Sequence, residues 1–511
     1  MRAMGSPSFA IHQANGAAAG TLRPRLWQQR LLALLRRRLS PPAQNPGKSI
    51  DVLIHAGPGA GKTLGSLYAF QQLRREGLIQ GLCVCSHRSS ISAQWLKAAA
   101  SLQLELGEGQ LGRDGLICSY QGASRDPLQL RQILENRWPL QGWLVVADEV
   151  HHLGLDPQLP DQSGWGVTFE QLSDGTRLRL GLTGTPFRAD QLGFCAASQK
   201  LVELDGSQQR VIAPDLCVEP QELIASGDVR PLQFRFQDGW VEHARAGDGD
   251  AERSPMSAEQ RETWRARNLR RAVRLGDPSS IGLRVLLEAR RRREALLQQH
   301  PGAAGLVVAR NIQHARGIGG LLEEEGDRVV LVHSQDPGAA AALVRFQQGE
   351  GDWLVSVDMC AEGFDAPRLR VVAYLTTVVT RSRFIQAITR AVRMDGERSA
   401  LEPVPRLPSY IHAPADPLLM GYAHNWSLST PYLLRPPQIA DSPDGGGSPS
   451  AWRANHRAVA DGAGEFIDLK GPQLPGFMGS GRGSVTVLSP QRSLIGERKE
   501  RSPEPTASTS P

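Results

Sequence analysis

The sequence predicts an α/β fold: two tandem domains, each a parallel sheet covered by helices, followed by a flexible tail. Three observations predict it. Short apolar runs of strand length recur in two separate series, spaced by helix-like stretches. The runs are continuously apolar rather than alternating, as strands buried on both faces require. The connections between them are long enough for crossover helices. With 511 residues the chain has room for two to four domains, at roughly 100–200 residues each.

Composition narrows the functional classes. Apolar residues make up 40% and charged residues 22%, which suits a globular protein with a sizeable core. No stretch approaches the roughly 18 consecutive apolar residues of a membrane span. The first twenty residues, MRAMGSPSFAIHQANGAAAG, lack the continuous apolar segment of a signal peptide and are expected to be disordered. The six cysteines, Cys83, Cys85, Cys118, Cys195, Cys217 and Cys360, are scattered with no paired CxxC, which argues against a disulfide scaffold or a structural zinc site and fits a cytoplasmic protein. Cys83 and Cys85 share one face of a strand and read as small core residues. The net charge of +6 is compatible with a polyanionic partner without identifying one.

Taken in order, residues 21–225 form the first α/β domain. It opens with a basic amphipathic helix over Leu22–Leu39, whose leucine stripe is the buried face. Strands are predicted at Asp51–His55, Leu82–Ser86, Leu116–Tyr120, Trp143–Ala147 and Leu178–Leu182. Residues 226–275 read as a connector or insertion, with a helix near Ser257–Leu275 that Ser257 and Gln260 would start as a capping box. Residues 276–404 form the second α/β domain, with strands at Gly305–Ala309, Arg328–His333, Trp353–Val357 and Val371–Thr376. Its first helix carries Arg290–Arg293, which reads as a solvated charge run. Residues 405–511 are rich in Pro, Gly and Ser and are expected to be mostly flexible.

The chemistry gathers at strand ends. Ala56-Gly57-Pro58-Gly59-Ala60-Gly61-Lys62-Thr63 follows one predicted strand and opens a helix. Glycines let backbone N–H groups turn into such a loop and cradle phosphates, and the helix N-terminus adds its dipole. Lys62 would reach the β- and γ-phosphates and the Thr63 hydroxyl would ligate Mg²⁺. The pattern GxxxxGK[ST] has Ala56 where glycine is expected. Asp148 and Glu149 end a later strand; Asp148 suits the metal and Glu149 the polarising of an attacking water. His151 and His152 are adjacent and so cannot converge on one ion, which leaves His151 to couple the site to its surroundings.

These motifs and their spacing resemble superfamily 2 helicases and translocases of the DEAD/DEAH-like (DExH) group. The resemblance runs over about residues 22–398 and implies two RecA-like domains. Thr183-Gly184-Thr185-Pro186 resembles the motif that couples ATP state to the nucleic-acid site. Arg25-Leu26-Trp27-Gln28 resembles the adenine-recognising element, with Leu26–Trp27 in place of Pro–Tyr, so Arg25 and Gln28 would contact ATP. Ser86-His87-Arg88 and Ser119-Tyr120 resemble elements that hold nucleic-acid phosphates, and Arg310 lies in a stretch similar to motif IV. Val355–Pro367 resembles motif V, with Glu362, Gly363 and Asp365 at its heart, and assigns Gly363 and Asp365 to ATP. Gln386–Arg393 resembles QxxGRxxR, with Thr389 in the glycine position. That match gives Gln386 a coupling role and makes Arg390 and Arg393 the arginines that reach the γ-phosphate, both projected by one turn of helix.

The resemblance is nearest to the group containing type I and III restriction translocating subunits and excision-repair helicases. It implies an ATPase using ATP and Mg²⁺ to move on nucleic acid, DNA more than RNA, with little sequence preference. A restriction or defence motor with a separate nuclease subunit, an RNA helicase, and a weakly hydrolysing remodelling protein are the other readings.

Overall fold

The computed structural model describes residues 24–40, 47–155, 164–184, 193–197, 199–204, 207–244, 252–276, 280–357, 364–394, 399, 402–426, 432–433 and 457–470. The N-terminal lobe is built on seven strands: β1 (Ile50–Ala56), β2 (Gly81–Ser86), β3 (Leu106–Glu108), β4 (Gly115–Ser119), β5 (Trp143–Asp148), β6 (Leu178–Thr183) and β7 (Leu216–Val218). All pair in parallel, in the order β7-β1-β6-β5-β2-β4-β3. The second lobe contains β8 (Leu232–Ala244), β9 (Glu252–Pro255), β10 (Ala304–Ala309), β11 (Val329–Val332), β12 (Trp353–Ser356), β13 (Leu369–Leu375), β14 (Ser409–Pro414) and β15 (Arg457–Lys470). Its order is β9-β8-β14-β13-β10-β12-β11, with β15 antiparallel along β8. Each predicted strand is present within a residue or two, because β2, β5 and β13 are buried along their whole length.

The crossovers are helical. They include α1 (Leu26–Leu39), α2 (Lys62–Arg75), α3 (Ser89–Ser101), α4 (Tyr120–Ala123), α5 (Pro127–Arg137), α6 (Trp165–Ser173), α7 (Pro220–Ala225), α8 (Glu262–Ala272), α9 (Ile281–Leu297), α10 (Ile312–Glu324), α11 (Ala339–Gln347), α12 (Arg381–Ile388) and α13 (Pro417–His424). Helix α1 buries Trp27, Leu31, Leu32 and Leu35. Its opposite face pairs Arg30 with Glu222, Arg36 with Glu76 and Arg38 with Asp215. Among the described residues no helix is long and apolar enough to cross a membrane.

Four expectations are corrected. Residues 226–275 are not merely a connector: they supply β8, β9 and α8 to the second lobe. In β8 the buried Leu232, Phe234 and Phe236 alternate with half-buried Gln233 and Arg235, a period of two that a search for continuous apolar runs passes over. Residues 409–426 of the expected flexible region supply β14, an interior strand between β8 and β13, and α13. Ser257 caps no helix; its hydroxyl donates to the Asp238 carboxylate at 2.6 Å, and α8 starts at Glu262. The Arg290–Arg293 run is not simply solvated, because Arg293 is buried and donates to Asp327, Asp352 and the Ala303 carbonyl.

Because β14 is an interior strand, a chain ending at residue 404 is expected to lose the second lobe's cooperative unfolding transition in calorimetry; an unchanged transition would show that the sheet closes without it. A second expectation concerns His412 on β14. It is fully buried, and among the described residues neither ring nitrogen has a hydrogen-bond partner. Burial, helped by the charges of Arg235 and Arg292, pushes its pKa down to about 3. The unfolded chain takes up a proton below pH ~6.5 that the native state refuses. This contribution to stability therefore falls with falling pH, by about 2 kcal/mol at pH 5. The melting temperature of His412→Leu is expected to drop less between pH 8 and pH 5 than that of the parent chain; equal drops would refute the assignment.

Candidate active site

The loop between β1 and α2 is held from behind by α1. Arg25 donates to the Gly59 carbonyl at 2.7 Å, the Trp27 indole to Ala60 at 2.9 Å, and the Gln28 amide to Gly61 at 3.0 Å. Three successive carbonyls are thus satisfied on the α1 side. The glycines at 59 and 61 adopt φ of +81° and +82°, which only glycine enters without strain. Helix α2 then starts at Lys62 with no side-chain cap, and among the described residues no acceptor takes the N–H groups of Gly61, Lys62 or Thr63. A helix N-terminus with such N–H groups is suited to an anion. Ala56 ends β1 fully buried and has no left-handed φ, so the methyl group costs nothing there; its carbonyl accepts from Lys62 Nζ at 3.1 Å. Gly57 and Pro58 complete the turn, and Thr63 is the second residue of α2.

Asp148 ends β5, close to this loop. Its carboxylate accepts the Trp95 indole N–H at 2.7 Å and the Glu149 N–H at 3.1 Å. Burial, and then the charge of Glu149, push its pKa up, while the Trp95 hydrogen bond opposes the shift. Glu149 has φ of +49°, uncommon for a residue with a β-carbon and typical of strained functional positions. Its carboxylate lies 3.7 Å from Lys62 Nζ, 3.6 Å from His151 Nδ1 and 3.3 Å from the Gly184 N–H. His151 in turn meets the Thr183 hydroxyl at 3.1 Å. Lys62, Glu149, His151, Thr183 and Gly184 therefore form one contiguous cluster. Thr185 and Gly363 lie outside the described residues.

The second lobe reaches the loop through Arg393. A methyl group at Gly59 would stand 3.0 Å from Val229, 3.6 Å from Arg393 and 3.7 Å from Val392. Arg393 pairs with Asp365 at 3.2 Å. Arg390 does not join it: its buried guanidinium donates to the Phe364 carbonyl at 2.6 Å. The expected continuous helix is absent, since α12 stops at Ile388, two residues past Gln386; Arg390 lies in the turn that follows and Arg393 just beyond it. Thr389 fits there with φ of −74° and a hydroxyl bonded to Ile385 at 2.6 Å, so glycine is not required.

Sequence reasoning missed the linker. Arg25 pairs with Asp228 at 3.1 Å. Arg230, fully buried, pairs with Glu402 and donates to the Arg393 and Pro367 carbonyls. Trp27 and Trp95 lie in motif stretches, but sequence reasoning assigned no role to their indole N–H groups, which nothing in a motif distinguishes from ordinary core. Of the proposed nucleic-acid contacts, Arg88 and Arg310 are exposed. Ser119 accepts the Gly122 N–H as the cap of α4, and His87 stacks on His152 at 4.5 Å. Tyr120 is not a surface contact: it is buried, with its hydroxyl on the Asp148 carbonyl at 2.8 Å.

Family comparison agrees with this architecture. Residues 21–188 match the model described as type III restriction enzyme, res subunit, and residues 289–395 match the helicase conserved C-terminal domain. The chain belongs to the superfamily 2 helicases. Within them it is related to the type III restriction subunits. The chain is 31% identical over 438 residues to an uncharacterized protein of Mycobacterium leprae, covering 82% of this chain and 67% of that one. It is 33% identical over 381 residues to one of Mycobacterium tuberculosis, covering 71% and 59%. The chain thus spans only about three fifths to two thirds of the length of these relatives. Among solved structures, a fragment of a putative HsdR subunit of a type I restriction enzyme from Vibrio vulnificus is similar, with a TM-score of 0.48, 16% identity, and coverage of 79% of this chain and 66% of that one.

The Trp95 contact has a measurable consequence. Replacing Trp95 by Phe removes a charge-assisted donor from Asp148, a loss of roughly 1.5–3 kcal/mol. The Asp148 carboxyl is expected to titrate at a higher pH in the variant than in the parent chain, read by carboxyl NMR. An unchanged titration would reduce Trp95 to a packing residue.

Proposed function

We propose that this helicase is an ATP-driven translocase on nucleic acid, on DNA more than RNA. The observation that carries the reading is the loop between β1 and α2, whose N–H groups at Gly61, Lys62 and Thr63 meet no acceptor among the described residues, beside Glu149 and packed against Arg393 of the second lobe. The loop from Gly57 to Gly61, with Ala60 and Pro58, would hold the ATP phosphates, and Lys62 would hold the outer ones. Arg25 and Gln28, at the N-terminus of α1, lie beside the same loop and would meet the base. Thr63 and the buried Asp148 offer the hydroxyl and carboxylate oxygens that suit Mg²⁺, which when bound neutralises charge on the phosphates.

The chain's own groups would then divide the work. Glu149 would accept the proton of the attacking water. Arg393 would stabilise charge at the transferred phosphoryl group across the lobes. His151 and Thr183 would carry the state of Glu149 towards the strand ends bearing Arg88 and Ser119. Because phosphate contacts read no bases, little sequence preference is expected. A second reading, a motor subunit acting with a separate nuclease, is favoured by the match of residues 21–188 to a restriction subunit.

ATP hydrolysis is to be measured with no polymer, single-stranded DNA, duplex DNA and RNA, with Glu149→Gln and Lys62→Ala as controls. Stimulation by DNA above RNA is expected, with turnover falling at least about a hundredfold in either variant. Turnover that survives Lys62→Ala would overturn the site; stimulation by RNA alone would overturn the DNA assignment.

A further inference from the structure

Three cysteines far apart in sequence meet inside the N-terminal lobe. Cys83 and Cys85 stand two residues apart on β2, and Cys118 is paired with Cys85 across the neighbouring β4. All three are buried, and their sulfurs lie within 4.8 Å of one another. The Cys85 and Cys118 sulfurs are 3.7 Å apart. Three sulfurs sharing one ion at about 2.3 Å must themselves sit roughly 3.7–4.0 Å apart, so the strands already hold the donors near ligating separation.

The surroundings select the ion. Leu53, Leu116, Val145 and Ala147 belong to the same buried cluster, and among the described residues no carboxylate or imidazole joins the three sulfurs. Hard cations such as Mg²⁺ and Ca²⁺ need oxygen ligands. Structural zinc sites take four ligands, whereas soft thiolate sets also suit Cu(I). Access is provided by Cys118, which lines a cleft of about 310 Å³ with Ser92, Glu108, Ser119 and Asp126.

We propose that Cys83, Cys85 and Cys118 form a three-sulfur site for a soft monovalent cation, Cu(I). Each thiol that ligates releases its proton to solvent, and no electron is transferred, so the ion stays Cu(I). Cys85 and Cys118 immediately precede Ser86-His87 and Ser119-Tyr120. A bound ion would therefore clip together the ends of β2 and β4, and binding to the native state alone raises its stability.

The test uses the full chain, reduced and free of oxygen, with Cu(I) delivered from a competing chromophoric chelator. One equivalent is expected to transfer, with a sulfur-to-copper ultraviolet band, three sulfur neighbours in X-ray absorption and a raised melting temperature. Cys118→Ser is expected to lose that equivalent, and Cys217→Ser, outside the cluster, to keep it. The X-ray absorption result on the unaltered chain stands even where a core variant fails to fold. No transfer, fewer than three sulfurs, equal loss in Cys217→Ser, or preferential capture of Zn²⁺ under the same conditions would each overturn the proposal.

Discussion

Three consecutive linker residues tie the phosphate loop to the arginine turn of the second lobe. Asp228 pairs with Arg25, which holds the Gly59 carbonyl; Val229 packs against Gly59; Arg230 holds the Arg393 carbonyl and Glu402. The linker that joins the lobes in sequence thus runs between the phosphate loop and the arginine turn in space. Arg230 is fully buried and Glu402 nearly so. Removing one partner of such a pair leaves an uncompensated charge, at a cost of roughly 3–5 kcal/mol. Its value lies in geometry: five donors in a rigid fork fix the direction in which the chain leaves one lobe and enters the other. Motion of the second lobe cannot leave the phosphate loop untouched while these contacts persist.

Parallel sheets explain why the remaining groups gather where they do. In each lobe the C-terminal ends of the parallel strands lie along one edge, the usual place for ligands in such sheets. Ala56, Asp148 and Thr183 end β1, β5 and β6, which are neighbours in the order β1-β6-β5. That order is not the order in sequence. Lys62, Glu149 and Thr183 are brought together by the strand crossing, and the cysteines of β2 and β4 meet for the same reason.

How far the sequence was legible follows from the kind of interaction. Strands such as Trp143–Asp148 were readable because full burial leaves a continuous apolar run. The phosphate loop was readable because its glycines have no substitute at positive φ. β8 and β14 were not, since one alternates apolar with polar residues and the other lies in proline-rich sequence. Trp27, Trp95 and Arg230 were not either. Their importance depends on which atom a buried donor meets, and side-chain type alone does not encode that. Motif spacing also assumes a continuous helix through Arg390 and Arg393, but α12 ends at Ile388, and the two arginines meet different partners, the Phe364 carbonyl and Asp365.

In the proposed reading, the position of Glu149 connects nucleotide binding to chemistry. Its left-handed backbone holds the carboxylate where Lys62, His151 and the Gly184 N–H all meet it. Lys62 is shared between that carboxylate and the Ala56 carbonyl. An incoming phosphate carries more negative charge than a carboxylate and would draw Lys62 away from both. Glu149 would then lose its cationic neighbour and become a stronger base just as a nucleotide arrives. The same loss would leave the Glu149 carboxylate beside His151, which also touches Thr183. One exchange of partners at Lys62 can therefore arm the base and alter the hydrogen bond that leads out of the site, with no separate device needed for the second step.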